Sequence, residues 1–123
     1  MKSILIVDDH PDIRHLFKML LDEDFIVREA ENGADALDMI RRHRPSLVLM
    51  DVMMPGQIDG LQALKTIKND PQLKDIYVIM VTARGQASDL EYATGLGADA
   101  YFIKPFSPLS LATHVRRVLG SPS

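Results

Sequence analysis

Apolar and polar positions along this chain alternate between two periods. Short β-branched-rich runs read as strands, and between them apolar residues recur at helical spacing. Ile4-Leu5-Ile6-Val7 is the first run, and it ends at Asp8-Asp9. His10-Pro11 opens a helix, with Pro11 suited to the first helical position. Ile13, Leu16, Phe17, Leu20 and Leu21 stand at i, i+3, i+4, i+7 and i+8, a single apolar stripe. Phe25-Ile26-Val27 begins a second strand that ends near Ala30. Asn32-Gly33 is a turn, and Asn32, with Asp35 three positions on, caps a helix. That helix buries Ala36, Leu37 and Ile40 and stops near Arg44-Pro45.

Leu47-Val48-Leu49-Met50 is apolar throughout and ends on Asp51, the pattern of a strand buried on both faces. Val52-Met53-Met54-Pro55-Gly56 follows as a loop, and Asp59-Gly60 opens a third helix with Leu61, Leu64 and Ile67 on one face. Val78 to Val81 is a fourth strand delivering Thr82-Ala83. Ser88-Asp89 opens a fourth helix with Leu90, Ala93 and Leu96 inward, made marginal by Gly95 and Gly97. Tyr101-Phe102-Ile103 is the fifth strand and delivers Lys104-Pro105. Ser107-Pro108 caps a last helix that buries Leu111, Val115, Val118 and Leu119. Strands alternating with helices predict an α/β fold: a parallel sheet with right-handed crossovers and helices on both faces. The expected five-stranded order is the doubly wound, flavodoxin-like 2-1-3-4-5.

Composition narrows the function classes. The 123 residues, 46% hydrophobic and 25% charged, suit one ordinary globular domain. Absence of cysteine excludes disulfides and thiolate metal sites, and it fits a reducing cytoplasm. The first apolar run is too short for a signal peptide, and nothing approaches the ~20 apolar residues of a membrane span, so no membrane association is expected. A net charge of −3 leaves no footprint for direct nucleic-acid binding. The basic cluster Arg41-Arg42-His43-Arg44 reads as cations at a helix C-terminus. His10, His15, His43 and His114 show no metal-ligand spacing and read as surface or capping residues.

The chemistry lies in what the strands deliver. In the expected order the first and third strands are neighbours at the switch point, where ligands bind in open α/β sheets. Asp8, Asp9 and Asp51 converge there, with Thr82 and Lys104 on the next two strand ends. Three carboxylates in one crevice do not all ionise without a counter-charge, and Lys104 is the single cation in sight. A hard divalent cation, Mg²⁺ or alternatively Mn²⁺, is the natural compensation. Metal, lysine and hydroxyl together suit the oxygens of a phosphoryl group. Asp51, the most central carboxylate, is the candidate nucleophile for an aspartyl phosphate.

Val7-Asp8-Asp9, Asp51-Val52-Met53-Met54-Pro55, Thr82-Ala83 and Lys104-Pro105-Phe106 together resemble the receiver domain of two-component response regulators, in a single-domain form like the chemotaxis regulators. The resemblance spans residues 1–120 and leaves 121–123 as a tail or the start of a linker. It implies that Asp51 accepts a phosphoryl group from a phosphohistidine of a sensor histidine kinase or phosphotransfer protein. It further implies that Asp9 ligates Mg²⁺ directly, Asp8 assists through water, and Asp51 and the backbone carbonyl of Met53 complete the protein ligands. Thr82, Lys104 and the Ala83 backbone N–H then hold phosphoryl oxygens. Thr82 and Tyr101 form the switch, and the face made by the fourth helix, fifth strand and last helix is read by a downstream protein. The implied protein is a monomer or a weak phosphorylation-dependent dimer. It is not an enzyme beyond catalysing its own aspartyl phosphorylation and dephosphorylation. The Lys104-Pro105 bond matches the family's cis peptide, where sequence alone favours trans. One departure stands out: from Asp51 to Gly60 the loop holds one residue more than the family pattern. Met53 and Arg84 flank the expected path of a hydrolytic water.

Three other classes compete with this reading. A hydrolase working through an aspartyl phosphate wants a second acid two residues after its nucleophile, where this chain has Met53. A nucleotide binder wants a glycine-rich phosphate loop, and neither standard pattern occurs. A receiver-like docking domain cut from a larger transcriptional regulator or hybrid kinase is the remaining alternative.

Overall fold

The computed structural model describes residues 1–52, 56, 58–83 and 95–120. Its strands are β1 (Ser3–Val7), β2 (Ile26–Ala30), β3 (Leu47–Asp51), β4 (Tyr77–Ala83) and β5 (Ala100–Lys104). They form one parallel sheet in the order β2-β1-β3-β4-β5. The helices among the described residues are α1 (Pro11–Leu21), α2 (Gly33–His43), α3 (Gly60–Asn69) and α4 (Pro108–Leu119). The doubly wound α/β fold expected from the alternation is therefore the one observed. The helix expected from Ser88-Asp89 through Leu90 and Ala93 lies outside the described residues, as do Met53, Arg84 and the 121–123 tail.

Side-chain alternation explains the unbroken apolar runs. Ile4 and Ile6 pair in register with Leu47 and Leu49 and point to one face, where α1 and α4 cover them with Phe17, Leu21, Leu111 and Val115. Leu5 and Val7 pair with Val48 and Met50 and point to the other, where α2 and α3 bring Ala36, Ile40, Leu64 and Ile67. Every residue of β3 is buried, because it lies in the middle of the sheet with helices on both faces. Each large apolar side chain so buried contributes about 1.5–3 kcal/mol. The edge strand β5 alternates instead, leaving Tyr101 and Ile103 exposed.

Local signals set the helix ends. Asn32 Oδ1 accepts from the Asp35 N–H at 2.8 Å, and Asp59 forms a full capping box with Gln62, both bonds 2.9 Å. Ser107 caps α4 through the Ser110 N–H. Helix α2 stops at Arg44, a left-handed residue (φ 46°) directly before Pro45.

Two glycines have a reason that no cap supplies. A Cβ on Gly60 would lie 2.1 Å from the Asp51 carbonyl oxygen and 2.9 Å from Val52 Cα. One on Gly33 would lie 2.3 Å from the Ile58 carbonyl oxygen. The first turns of α2 and α3 thus clamp the connection between β3 and α3, the one carrying the extra residue. At the other end of α3, by the amino-terminal edge of the sheet, Lys68 Nζ donates to the Lys74 and Ile76 carbonyls and to Asp99, at 2.9, 2.7 and 2.8 Å. That ammonium ties the end of α3 to the entries of β4 and β5.

Candidate functional site

Among the described residues, the buried polar or charged side chains are Asp8, Asp51 and Thr82. All three stand at the carboxyl ends of adjacent strands. Burying a carboxylate is costly unless it is compensated, so two side by side mark a site rather than a core. Asp8 follows the last residue of β1, held there by its N–H to the Ala30 carbonyl at 3.1 Å. Asp51 closes β3 opposite Val81, which places Thr82 one residue further along β4. Ala83 pairs in register with Lys104 on β5.

Lys104 reaches across to Asp51, Nζ to Oδ2 at 2.9 Å. Burial is the largest single influence on its ammonium and opposes the charge. The bond to Asp51, with the charges of Asp51, Asp8 and Asp9, outweighs it and holds Lys104 above its ordinary value. The Lys104–Pro105 peptide is cis, against the expectation from sequence alone.

Two contributors escaped the sequence reading. His10, taken for a surface or capping residue, points its ring into the acidic cluster. Its Nδ1 lies 3.1 Å from Asp8 Oδ1 and 3.2 Å from Asp9 Oδ1. The hydrogen bond to Asp8, then the charges of Asp9 and Asp8, raise the imidazole above its ordinary value. Lys104 is therefore not the single basic group there. The signal was adjacency to Asp9, which matters only once β1 ends where it does. Arg14 is the second. Its Nη1 donates to the Asp8 carbonyl at 2.7 Å while Nε bonds Glu29 at 3.2 Å, so α1 and β2 together hold the strand end that carries the aspartates.

A divalent cation fits this donor set. Oxygens of Asp8, Asp9 and Asp51 and a nitrogen of His10 all lie within 4.8 Å of one another. Asp9 Oδ1 is buried with no hydrogen-bond partner among the described residues; His10 Nδ1 is close to it but not aligned for a bond. A buried carboxylate oxygen left so is the kind of atom a metal satisfies.

The site edge, strand order and cis bond all lie within residues 4–116, which match the family model of the response regulator receiver domain. The chain belongs to that family. It is 39% identical to the chemotaxis protein CheY of Halobacterium salinarum, covering 96% of this chain and 97% of that protein. It is also 39% identical to response regulator Rre1 of Synechocystis sp., covering 96% of this chain but 52% of Rre1. The chain thus spans about half the length of the first curated relatives it matches. Among solved structures, a putative response regulator from Chloroflexus aurantiacus superimposes with a TM-score of 0.87 at 33% identity, covering 96% of this chain and 97% of that one. Receiver domains of two-component systems are signalling switches rather than classical enzymes. They bind Mg²⁺ at an acidic pocket and interact with histidine kinases and downstream effectors. Among the described residues of this receiver domain, no helix is long and apolar enough to cross a membrane.

Proposed function

We propose that this receiver domain is a phosphorylation-dependent switch in which Asp51 accepts the phosphoryl group. The observation that carries the reading is the Asp51 carboxylate itself: buried at a strand end, bonded to Lys104, and grouped with Asp8 and Asp9. In the transfer, the P–N bond of a phosphohistidine breaks and a P–O bond forms to an Asp51 oxygen. The leaving imidazole nitrogen keeps the electron pair and takes a proton from water. Lys104 neutralises the carboxylate in the resting state and exchanges that bond for one to a phosphoryl oxygen. The Thr82 hydroxyl and the Ala83 N–H, at the end of the neighbouring strand, hold the other oxygens. Asp8, Asp9 and Asp51, with the Met53 carbonyl by family resemblance, would hold Mg²⁺ or Mn²⁺. The ion would supply charge neutralisation for the carboxylates and the incoming group. Water cleaving the acyl phosphate returns Asp51 and releases inorganic phosphate.

The acyl phosphate carries about two negative charges where the Asp51 carboxylate carried one, and it brings three new acceptor oxygens that bias a two-state element. Thr82 moves toward the new oxygens, and Tyr101, exposed in this structure on the outer face of β5, turns inward. The face containing β5 and α4 then changes its affinity for a downstream protein or for a second copy. The donor is a sensor histidine kinase or phosphotransfer protein, and the setting is cytoplasmic. Residues 1–120 form the switch, with 121–123 a tail or linker start. The chain spans about half of Rre1, and that supports a second reading, a docking domain cut from a larger regulator.

Incubation with acetyl phosphate and Mg²⁺ followed by intact-mass measurement separates the two. The switch reading expects one hydroxylamine-labile adduct, absent without metal and absent in Asp51→Asn. A protein that binds Mg²⁺ yet takes up no phosphoryl group would leave only docking. Lys104→Ala is expected to bind Mg²⁺ but to switch poorly.

A further inference from the structure

We propose that His10 supplies a nitrogen ligand to the acidic site of this receiver domain, so that the site also takes borderline transition ions such as Zn²⁺ through mixed nitrogen and oxygen ligation. The inference rests on the reading that Asp8, Asp9 and Asp51 hold a divalent ion, and it adds a donor to that set.

Spacing is the first support. Ligands at right angles on an ion with bonds of about 2.1 Å stand about 3.0 Å apart, and tetrahedral neighbours stand about 3.4 Å apart. His10 Nδ1 lies 3.1 and 3.2 Å from the nearest oxygens of Asp8 and Asp9, the separation of neighbours in one coordination shell. Hydrogen bonding accounts for only one of these contacts. The ring nitrogen bonds Asp8 Oδ1, whereas Asp9 Oδ1, nearly as close, is buried and accepts no hydrogen bond from the described residues. One ion shared by Nδ1 and both carboxylates satisfies all three atoms. Asp8 Oδ1 does not become an orphan when the ring lets go, because the His10 backbone N–H still donates to it at 2.9 Å.

The ring is also free to do this. Its side chain is 66% exposed, so no packing fixes it away from the cluster. Ligation requires an Nδ1 that carries no proton, so metal and proton compete for the same lone pair. An oxygen-only set suits Mg²⁺, Ca²⁺ and Mn²⁺, whereas an imidazole favours Zn²⁺ and later first-row ions. His10 thereby becomes the residue that decides which ions compete with Mg²⁺.

Pulsed electron paramagnetic resonance of Mn²⁺ bound to the full chain reads the ligand directly. The expected result is a ¹⁴N coupling of a coordinated imidazole in the wild type. It should be lost in His10→Ala and in Asp9→Asn, with Mn²⁺ still bound to His10→Ala. By calorimetry, His10→Ala should lower Zn²⁺ affinity at least about tenfold, the smaller end of what losing one interacting group at a metal site costs. Its Mg²⁺ affinity should stay within about twofold, because Mg²⁺ is held by oxygen and water. Mn²⁺ bound without nitrogen coupling would overturn the role of His10 and leave the carboxylate site standing. Coupling that persists in His10→Ala or Asp9→Asn would put the nitrogen elsewhere and also overturn it. Failure of the wild type to bind any divalent ion would overturn both this inference and the reading beneath it.

Discussion

Replacing Gly60 by alanine sets two opposing effects against each other at the acceptor strand. Gly60 is the first residue of α3, and glycine in a helix costs up to about 1 kcal/mol relative to alanine, so propensity alone favours the change. The structure reverses the sign. The new methyl carbon would lie 2.1 Å from the Asp51 carbonyl oxygen, 2.9 Å from Val52 Cα and 3.0 Å from the Asp51 carbonyl carbon. All three are backbone atoms, anchored by the β3 ladder and by the Val52 N–H to the Val81 carbonyl at 2.9 Å. No side chain can rotate away, so α3 must retreat by roughly 1 Å, an overpacking cost of about 1–3 kcal/mol. The retreat also stretches the Gly60 N–H to Val52 carbonyl bond of 3.1 Å, worth about 1 kcal/mol. With propensity subtracted, the net loss is about 1–3 kcal/mol, a large share of the 5–15 kcal/mol of a typical domain. Urea denaturation of Gly60→Ala measures it, with Gly56→Ala as comparison. A Cβ on Gly56 meets nothing within 4 Å among the described residues, but its φ is 104°, so its alanine suffers backbone strain of about 1–2 kcal/mol and no clash with them. Weakened Mg²⁺ binding should accompany the first variant, because the displaced carbonyl belongs to Asp51. A Gly60→Ala protein as stable as the wild type would refute the close-approach reasoning.

Other consequences follow from contacts away from the site. Lys68→Met removes the donor from the Lys74 and Ile76 carbonyls and the ammonium from Asp99, whose Oδ2 keeps the Val78 N–H at 2.8 Å, and should cost about 1–3 kcal/mol in chemical denaturation, on the scale of hydrogen bonds to a charged group; a loss under about 0.5 kcal/mol would mark it as an ordinary surface ion pair. Asp59→Ala removes the capping-box bond from the Gln62 N–H to Asp59 Oδ1, leaving the backbone N–H of residue 59 on Gln62 Oε1, and should cost about 1 kcal/mol, with the loss of protection from amide exchange concentrated in the first turn of α3. His114 lies against Tyr77 on β4 and Phe102 on β5, with Arg117 on its own helix. Burial, then the charge of Arg117, hold its imidazole below its ordinary value of 6.5. A depressed imidazole contributes stability that is complete above 6.5 and is lost as pH falls through the folded value. Thermal melts of His114→Gln should therefore lose less stability than the wild type as pH drops below 6.5; parallel pH profiles would exclude His114 as the group responsible.

Much of this protein was readable from one-dimensional pattern. The period of the apolar runs was enough for the alternation of strands and helices, and the lack of any polar residue between Leu47 and Met50 marked a strand covered on both sides. The caps at Asn32, Asp59 and Ser107 were visible because capping is a local interaction spanning three residues. Asp8, Asp51, Thr82 and Lys104 could be grouped because parallel topology sends every strand's carboxyl end to the same edge. Distances and orientations were not readable. The ring of His10 turns into the cluster and Arg14 reaches back to the Asp8 carbonyl because of where α1 leaves β1, which no spacing in the sequence encodes. The cis bond before Pro105 ran against the local preference.

Asn32-Gly33 and Asp59-Gly60 divide the two kinds of information cleanly. The sequence by itself determined that helices begin there, since a capping side chain needs only its own next turn. Why glycine follows each cap was decided by the tertiary structure. The carbonyls of Ile58 and Asp51 pass so close that a single methyl group has no room, and contacts between segments brought together by the sheet leave no local trace in the chain.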